Sequence, residues 1–277
     1  MSRPMLSIVI ANYNYGRFLE RAIQSVVEQD LDGQVELIIC DGGSTDESVD
    51  IIEQYKGHVA WWCSEKDAGQ SDAFNKGFSH AHGRFGCWLN ADDFFAPGAL
   101  WTILKYIERH PNVEWLGGSS IFVDHDLNVK WCSRCIRTPK IGCKYVPYYT
   151  VNGPSSVFLL DNLKKVGGFD TRLRYTMDTD LWRRFAAAGI SLHFVKNYIW
   201  VFRIHESSKT SHRFITGKSI SPFAKENADC NSRYGISPFR GRLGCRINQL
   251  LRLVSGTYLI SYYDTIRSRG RSYLTLF

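Results

Sequence analysis

The chain has 277 residues, 44% of them hydrophobic and 22% charged, which excludes disorder and allows one large α/β domain or one domain with a smaller appendage. Its formal net charge of +7 is uneven: from Arg203 onward there are 13 Lys and Arg against 4 Asp and Glu, so the first 202 residues are slightly acidic. The basic C-terminal stretch suits nucleic acid, an anionic membrane surface or a solvated face, the usual default, and of these no nucleic-acid partner is expected.

In chain order, the apolar run Leu6 to Ile10 within MSRPMLSIVIAN reads as a buried strand and is too short for a secretory signal. Phe18, Leu19, Ala22, Ile23, Val26 and Val27 recur at helical spacing and predict a first amphipathic helix. A second strand is expected over Glu36 to Asp41, turned by Gly42 and Gly43. Ser44 with Glu47 then matches a capping box that opens the next helix. Val59 to Cys63 predicts a third strand, residues 70–82 a helix, and Phe85 to Leu89 a fourth strand ending at Asn90, Asp92 and Asp93. Pro97 fits the first turn of the following helix.

This alternation predicts a mostly parallel sheet flanked by helices. Ligands of such sheets collect outside the carboxyl ends of the strands, where Asn12, Asp41 and Asp92 all fall. Residues 111–160 are less regular, with short strands around Trp115 to Val123 and Val129 to Cys132 and a loop at Asn152-Gly153-Pro154. Helix returns at Asp178 to Ala188. Beyond Arg203 the pattern is helical and basic, with Ile247, Leu250, Leu251, Val254 and Tyr258 on one face, packed on the main domain or laid against a membrane.

No apolar stretch is long enough to span a bilayer, so a cytoplasmic location is expected, with the inner membrane face as an attachment surface. Among the eight cysteines, Cys132 and Cys135 make one CxxC with Cys143 nearby, but there is no second pair at zinc-finger spacing. Cys40 and Cys87 lie inside predicted core strands and read as small hydrophobes. A dinucleotide-dependent dehydrogenase is excluded because the first strand leads into ANYNYG and not GxGxxG. A P-loop nucleotidase fails for want of GxxxxGK[ST].

The segments LSIVIANYN, IICDGGSTDES, EKDAGQSDAFNKG and CWLNADD, followed by NGPSSVFLLDNLKKVGGFD, TMDTDLWRRF and FRIHESSKTS, occur in one order and cover roughly the first 210 residues. Together they resemble the family 2 glycosyltransferases of the GT-A fold. The resemblance implies a GT-A domain over 1–213, with its donor part about 1–110 and its acceptor part about 111–213, and a helical basic region over 214–277. It implies an inverting, non-processive, metal-dependent transfer of a sugar from a nucleotide-sugar donor, uridine-linked by expectation, to a hydroxyl of a glycan or lipid-linked acceptor. Cell-surface polysaccharide or glycan assembly is the implied setting.

The same resemblance implies site residues. Asp41 corresponds to the acid that accepts a hydrogen bond from uracil, beside the loop Ala11-Asn12-Tyr13. Gly42 stands where many relatives carry a second Asp. Asp67 and Gln70 fall in the donor-side segment, where Asp67 either binds ribose or donor sugar or simply precedes a helix. Asn90, Ala91 and Asp92 match the DXD element, with Asn90 in place of its first acid and Asp92 as ligand for Mn²⁺ or Mg²⁺. Asp93 is a second ligand or a turn residue. Asp178 matches the general base, with Met177 in place of the usual Glu. Arg203 and His205, followed by Ser207 and Ser208, match a late segment that contacts the diphosphate, through Arg203, or completes the metal shell, through His205. Asn90 and Met177 leave one alternative open, a non-catalytic module that holds nucleotide-sugar or protein on a degenerate transferase fold.

Overall fold

The computed structural model describes residues 3–31, 33–136, 151, 153–209 and 221–276. Cys143, Asn152, Thr210 and Ser211, and the first residues of the basic region at 214–220, lie outside the described residues.

The chain starts with strand β1 (Leu6–Asn12), helix α1 (Gly16–Val27), β2 (Val35–Asp41), α2 (Ser48–Gln54), β3 (Trp61–Ser64), α3 (Gln70–Ser79), β4 (Phe85–Asn90), β5 (Phe94–Phe95) and α4 (Ala99–Arg109). It continues through β6 (Trp115–Val123), β7 (Val129–Ser133), β8 (Ser156–Leu159), α5 (Leu160–Lys165), α6 (Met177–Ala187) and β9 (Leu192–Arg203). The basic region supplies α7 (Ser221–Arg233), α8 (Pro238–Val254), α9 (Thr257–Ser268) and α10 (Tyr273–Leu276).

The sheet order is β3-β2-β1-β4-β8-β6-β9-β5, with β7 paired to β6. The first four of these are parallel, as βαβ crossovers require, and β9 is parallel to β6. β8 runs antiparallel to both β4 and β6 and joins the two parallel sets. The expected α/β architecture, a mostly parallel sheet flanked by helices with a helical C-terminal part, is the one observed.

The core forms on both faces because β1 is covered on both, which is why its run is apolar without alternation. Leu6, Ile8 and Ile10 face α1 and α4, packing with Leu19, Ile23, Leu100 and Ile103. Val9 faces α3 and α6 on the other side, with Phe74, Trp88, Trp182 and Phe185. α3 crosses β1 so closely that a Cβ at Gly77 would sit 2.3 Å from Val9 Cγ1, so only glycine fits there.

Two local expectations change, and one strand is added. The Ser44–Glu47 capping box does not form: the Ser44 hydroxyl donates to Asp41 Oδ1 (2.5 Å), and α2 begins at Ser48, whose N–H donates to Asp46 Oδ1 (3.1 Å). A nearby carboxylate outcompetes the helix end for that hydroxyl. The face running from Ile247 to Tyr258 is broken, because Gly256 in the left-handed region ends one helix and starts the next, so Tyr258 belongs to α9. The twelve-residue β9, unread in the sequence, is the long partner of β6 and brings Trp200, Phe202, Arg203 and His205 back to the N-terminal half of the sheet, beside β5.

Candidate active site

Register places the strand ends together, since Asn12 pairs with Asp41 and Ala11 with Asn90 across β1. At these ends lies a cavity of about 1030 Å³. One wall is formed by Ala11, Asn12, Tyr13, Asp67, Gln70, Asn90, Ala91 and Asp92, with the backbone of Gly42 and Gly43 between them. The opposite wall carries Trp88, Arg174, Tyr175, Asp178, Trp182 and, from α7, Phe223.

Asp41 does not border the cavity. It is 1% exposed, and its carboxylate accepts from Asn12 Nδ2 (2.7 Å), from the Ser44 and Ser64 hydroxyls (2.5 and 2.6 Å) and from the N–H groups of Ser44 (2.8 Å) and Gly43 (3.2 Å). These five donors saturate an acceptor with about four lone-pair directions. Asp41 therefore braces the Asn12 and Gly42 loops from behind. A Cβ on Gly42 would lie 2.9 Å from Asp67 Oδ2 and 3.3 Å from the Tyr13 ring, so the missing side chain keeps open a slot between those two groups.

Asp67 is held at the cavity by an Asx turn, its Oδ1 accepting from Gly69 N–H (2.8 Å). Gln70 donates to Asn90 Oδ1 (2.8 Å), and Asn90 Nδ2 donates to Asp93 Oδ2 (2.8 Å). This chain of amides fixes the turn that presents Asp92.

The expected metal residues separate. Asp92 borders the cavity, and its Oδ2 lies 3.0 Å from His205 Nε2. Asp93 turns into the core, 1% exposed, where Arg203 N–H donates to its Oδ1 (3.1 Å). Burial, reinforced by the Asp92 charge, holds the Asp93 carboxyl well above the ordinary carboxylate range. Adjacent residues of a turn cannot both point one way, and the Arg203 backbone claims Asp93. Among the described residues no group of three His, Cys, Asp or Glu gathers to hold a metal. The fit is thus a carboxylate and an imidazole, two donors acceptable to Mn²⁺ that leave its other positions for phosphate oxygens and water.

His205 is held in place by its surroundings. Its ring packs on Phe18 at 4.4 Å, the Tyr15 hydroxyl donates to Ser207 O (2.7 Å), and Arg17 donates to the Ser207 hydroxyl (2.8 Å). Ser208 borders the cavity, whereas Ser207 is occupied by these links.

Arg203 does not reach the cavity. Strand alternation decides this, because Trp200 and Phe202 line the cavity and Arg203 must face the other way. Its guanidinium lies over the rings of Phe18 (4.8 Å) and Phe94 (5.5 Å), where burial lowers its pKa. The cavity's cations are instead Lys66, Arg174 and Lys209. Desolvation and the nearby Arg174 charge lower the Lys209 pKa, opposed by Asp92 and Asp67. Lys66 and Lys209 were legible, since both lie inside the quoted segments EKDAG and SSKTS. Arg174 carries no local signal.

On the opposite wall Asp178 occupies the first turn of α6, half-buried, its Oδ1 accepting from Thr179 N–H (2.6 Å). Burial raises its pKa, with a smaller contribution from the Glu226 charge. Asp180 points into the protein, accepting from Arg184 Nε and the Tyr234 hydroxyl, both at 2.8 Å. Ser71 and Asn75 are structural: Ser71 donates to Leu173 O (3.2 Å), and the Asn75 amide clamps both backbone groups of Phe169 at 2.8 Å.

The basic region completes this wall. Glu226 on α7 accepts from the N–H groups of Arg174, Tyr175 and Thr176 (2.9, 2.8 and 2.7 Å) and from the Thr176 hydroxyl (2.9 Å). It thereby fixes the segment that leads into Asp178. Phe223 packs edge-on against Tyr175 at 6.3 Å.

The family described as glycosyl transferase family 2 matches residues 7–149. An uncharacterized glycosyltransferase of Nostoc sp. is 39% identical over 106 residues, covering 37% of this chain and 33% of that protein. The first three curated relatives are each covered over 66% of their length or less. Among solved structures, residues 1–349 of S. aureus TarS in complex with UDP-GlcNAc align with a TM-score of 0.60 at 15% identity, over 80% of this chain and 64% of that one. The mannosyltransferase PcManGT of Pyrobaculum calidifontis, in complex with GDP-Man and Mn²⁺, aligns with a TM-score of 0.60 at 17% identity, over 89% of this chain and 74% of that one. At such identities the structures speak for the fold alone, which is of the GT-A type. With a family match spanning more than half its length, the chain belongs to glycosyl transferase family 2.

Proposed function

We propose that this chain transfers a sugar from a nucleotide-sugar donor to an acceptor hydroxyl by one in-line displacement that inverts the anomeric centre. The observation that carries this is the pairing of two walls in one cavity. One presents Asp92 backed by His205, and the other presents a half-buried carboxylate, Asp178, at a helix start. The slot over Gly42, between Tyr13 and Asp67, suits the flat base and ribose of the nucleotide, for which a uridine is the expected class. Lys66, Arg174 and Lys209 supply positive charge to the diphosphate and sugar.

Asp92 and His205 are the residues that would hold Mn²⁺ or Mg²⁺, and such an ion would neutralise charge on the departing diphosphate. Asp178 Oδ2 takes the proton of the acceptor hydroxyl as that oxygen attacks the anomeric carbon. Raising the pKa of this carboxyl by burial makes it a better base near neutral pH. Trp88 and Trp182, buried beside it at 1% exposure each, keep water from that side of the carboxylate. Asp41 and Glu226 act through the loops they brace.

A glycan or lipid-linked acceptor in cell-surface assembly fits this reading. The test is release of free nucleoside diphosphate from UDP- and GDP-sugars with Mn²⁺ present, compared with Asp178→Asn and Asp92→Ala. Release that survives both substitutions would sink the assignment. Donor binding with no release from any donor or acceptor would establish the non-catalytic module instead.

A further inference from the structure

The fifteen exposed large hydrophobic residues among those described are unevenly spread: thirteen lie between Phe239 and Leu274. On α8 they form one stripe, Phe239, Leu243, Ile247, Leu250 and Val254, at the three- and four-residue spacing of a helix face. On α9 the stripe is Leu259, Tyr262, Tyr263 and Ile266, between 60% and 70% exposed.

The other face of α9 makes this pattern unusual. Ser261, Asp264 and Thr265 point inward and hold the helix to the sheet: Arg134 N–H donates to Ser261 Oγ (3.0 Å) and Cys132 N–H to Thr265 Oγ1 (2.9 Å). Asp264 accepts from Arg134 Nη2 (2.7 Å) and from the Tyr198 hydroxyl (2.5 Å). The helix is amphipathic in the reverse sense, with its polar side toward the protein and its apolar side outward. A helix surrounded by water would gain by the opposite arrangement, at roughly 25 cal/mol per Å² of apolar surface.

Charge identifies what covers the face. The only acid on α8 or α9 is Asp264, and it is consumed internally. Arg242, Arg246 and Arg267 are exposed alongside the apolar stripes, followed by Arg269 and Arg271. In a symmetric contact with a second copy the same patch meets itself, which would set these arginines against one another with no carboxylate between them. An apolar stripe with flanking arginines and tyrosines matches the acyl and headgroup layers of an anionic bilayer.

We infer that the α8–α9 hairpin docks this protein on an anionic membrane surface, inserting its outward apolar face among the lipids. The hairpin is tied to the sheet by the hydrogen bonds of α9 with Arg134, Cys132 and Tyr198, so docking would hold the sheet at the surface. Apart from Phe223 on the preceding α7, none of the cavity's lining comes from this region, so the inference stands or falls apart from the proposed reaction. No described helix is long and apolar enough to cross a membrane, and docking requires none.

The test is flotation of the full chain with vesicles of phosphatidylcholine alone and of phosphatidylcholine with phosphatidylglycerol. Wild type should float with the anionic vesicles, and salt should weaken this to a residue set by apolar insertion. Leu259→Glu with Ile266→Glu, at sites 70% and 60% exposed, should melt like wild type and lose about 10-fold or more of the binding. Arg242→Glu with Arg246→Glu should remove the preference for anionic over neutral vesicles. Equal flotation of wild type and both variants overturns the inference. So does a dimer in light scattering that Leu259→Glu with Ile266→Glu dissociates, in a protein that floats with neither vesicle.

Discussion

The two walls of the cavity are built differently. The wall proposed to hold the donor is made by strand ends of consecutive βαβ units, where parallel register alone sets Asn12 level with Asp41 and Ala11 level with Asn90. The opposite wall is assembled from segments distant in the chain: Trp88 from β4, Asp178 from α6, and Phe223 with Glu226 from α7. The first kind of wall rests on topology and tolerates change at single contacts. The second depends on a few long-range hydrogen bonds, and Glu226 makes four of them.

The largest expected effect is on the proposed donor wall. Asp92→Ala should reduce transfer by ~10³-fold or more and remove the Mn²⁺-dependent part of donor binding, measured by calorimetry with and without chelator. Its fold should persist, because Asp92 lies at a turn on the cavity. Metal-dependent binding that persists in this variant would take the ion elsewhere.

Asp178→Asn should lower turnover by ~10²–10⁴-fold with donor affinity unchanged. Its pH behaviour sharpens the assignment. Burial raises the folded pKa of this carboxyl, so ionisation costs no stability below the ordinary carboxylate range and costs progressively more as pH rises through the raised value. Asp178→Asn should therefore melt higher than wild type at neutral pH and equally at acid pH. In wild type, turnover should rise with pH along a limb displaced above the ordinary carboxylate range. Asp180→Asn should instead cost about 2 kcal/mol of stability, by weakening the acceptor for Arg184 and Tyr234, and spare chemistry. The reverse pattern would pass the role of base to Asp180.

Glu226→Ala tests whether the walls are independent. Freed from its latch, the segment 174–176 should misplace Asp178 and lower transfer by about 10- to 100-fold, while Mn²⁺-dependent donor binding is retained. Partial recovery in Glu226→Gln is expected, since an amide oxygen can still accept. Loss of donor binding in Glu226→Ala would show that the two walls are one unit.

The smallest effect belongs to Arg203→Gln. With its guanidinium over Phe18 and Phe94 and away from the cavity, donor affinity should not change, whereas Lys209→Gln should weaken it. A fall in donor affinity for Arg203→Gln alone would reverse the orientation argued for β9.

The strands and helices of the first hundred residues were legible because their signals are local: an apolar run of strand length, then apolar positions at helical spacing. β9 was missed because its neighbours in the sheet, β6 and β5, lie far back in the chain and its own sequence does not alternate cleanly. The sequence by itself determined which residues sit at strand ends and hence that Asn12, Asp41 and Asp92 would converge at one crevice. It also determined that Asp178 and Asp180, two apart on a helix, face different ways. Only the tertiary structure decided that Asp41 braces the wall from behind, that Asp93 turns inward to the Arg203 backbone, and that α7 supplies Glu226. Side-chain direction at a turn, and the partner of a buried carboxylate, depend on whichever distant donor reaches it first, and no local pattern encodes that.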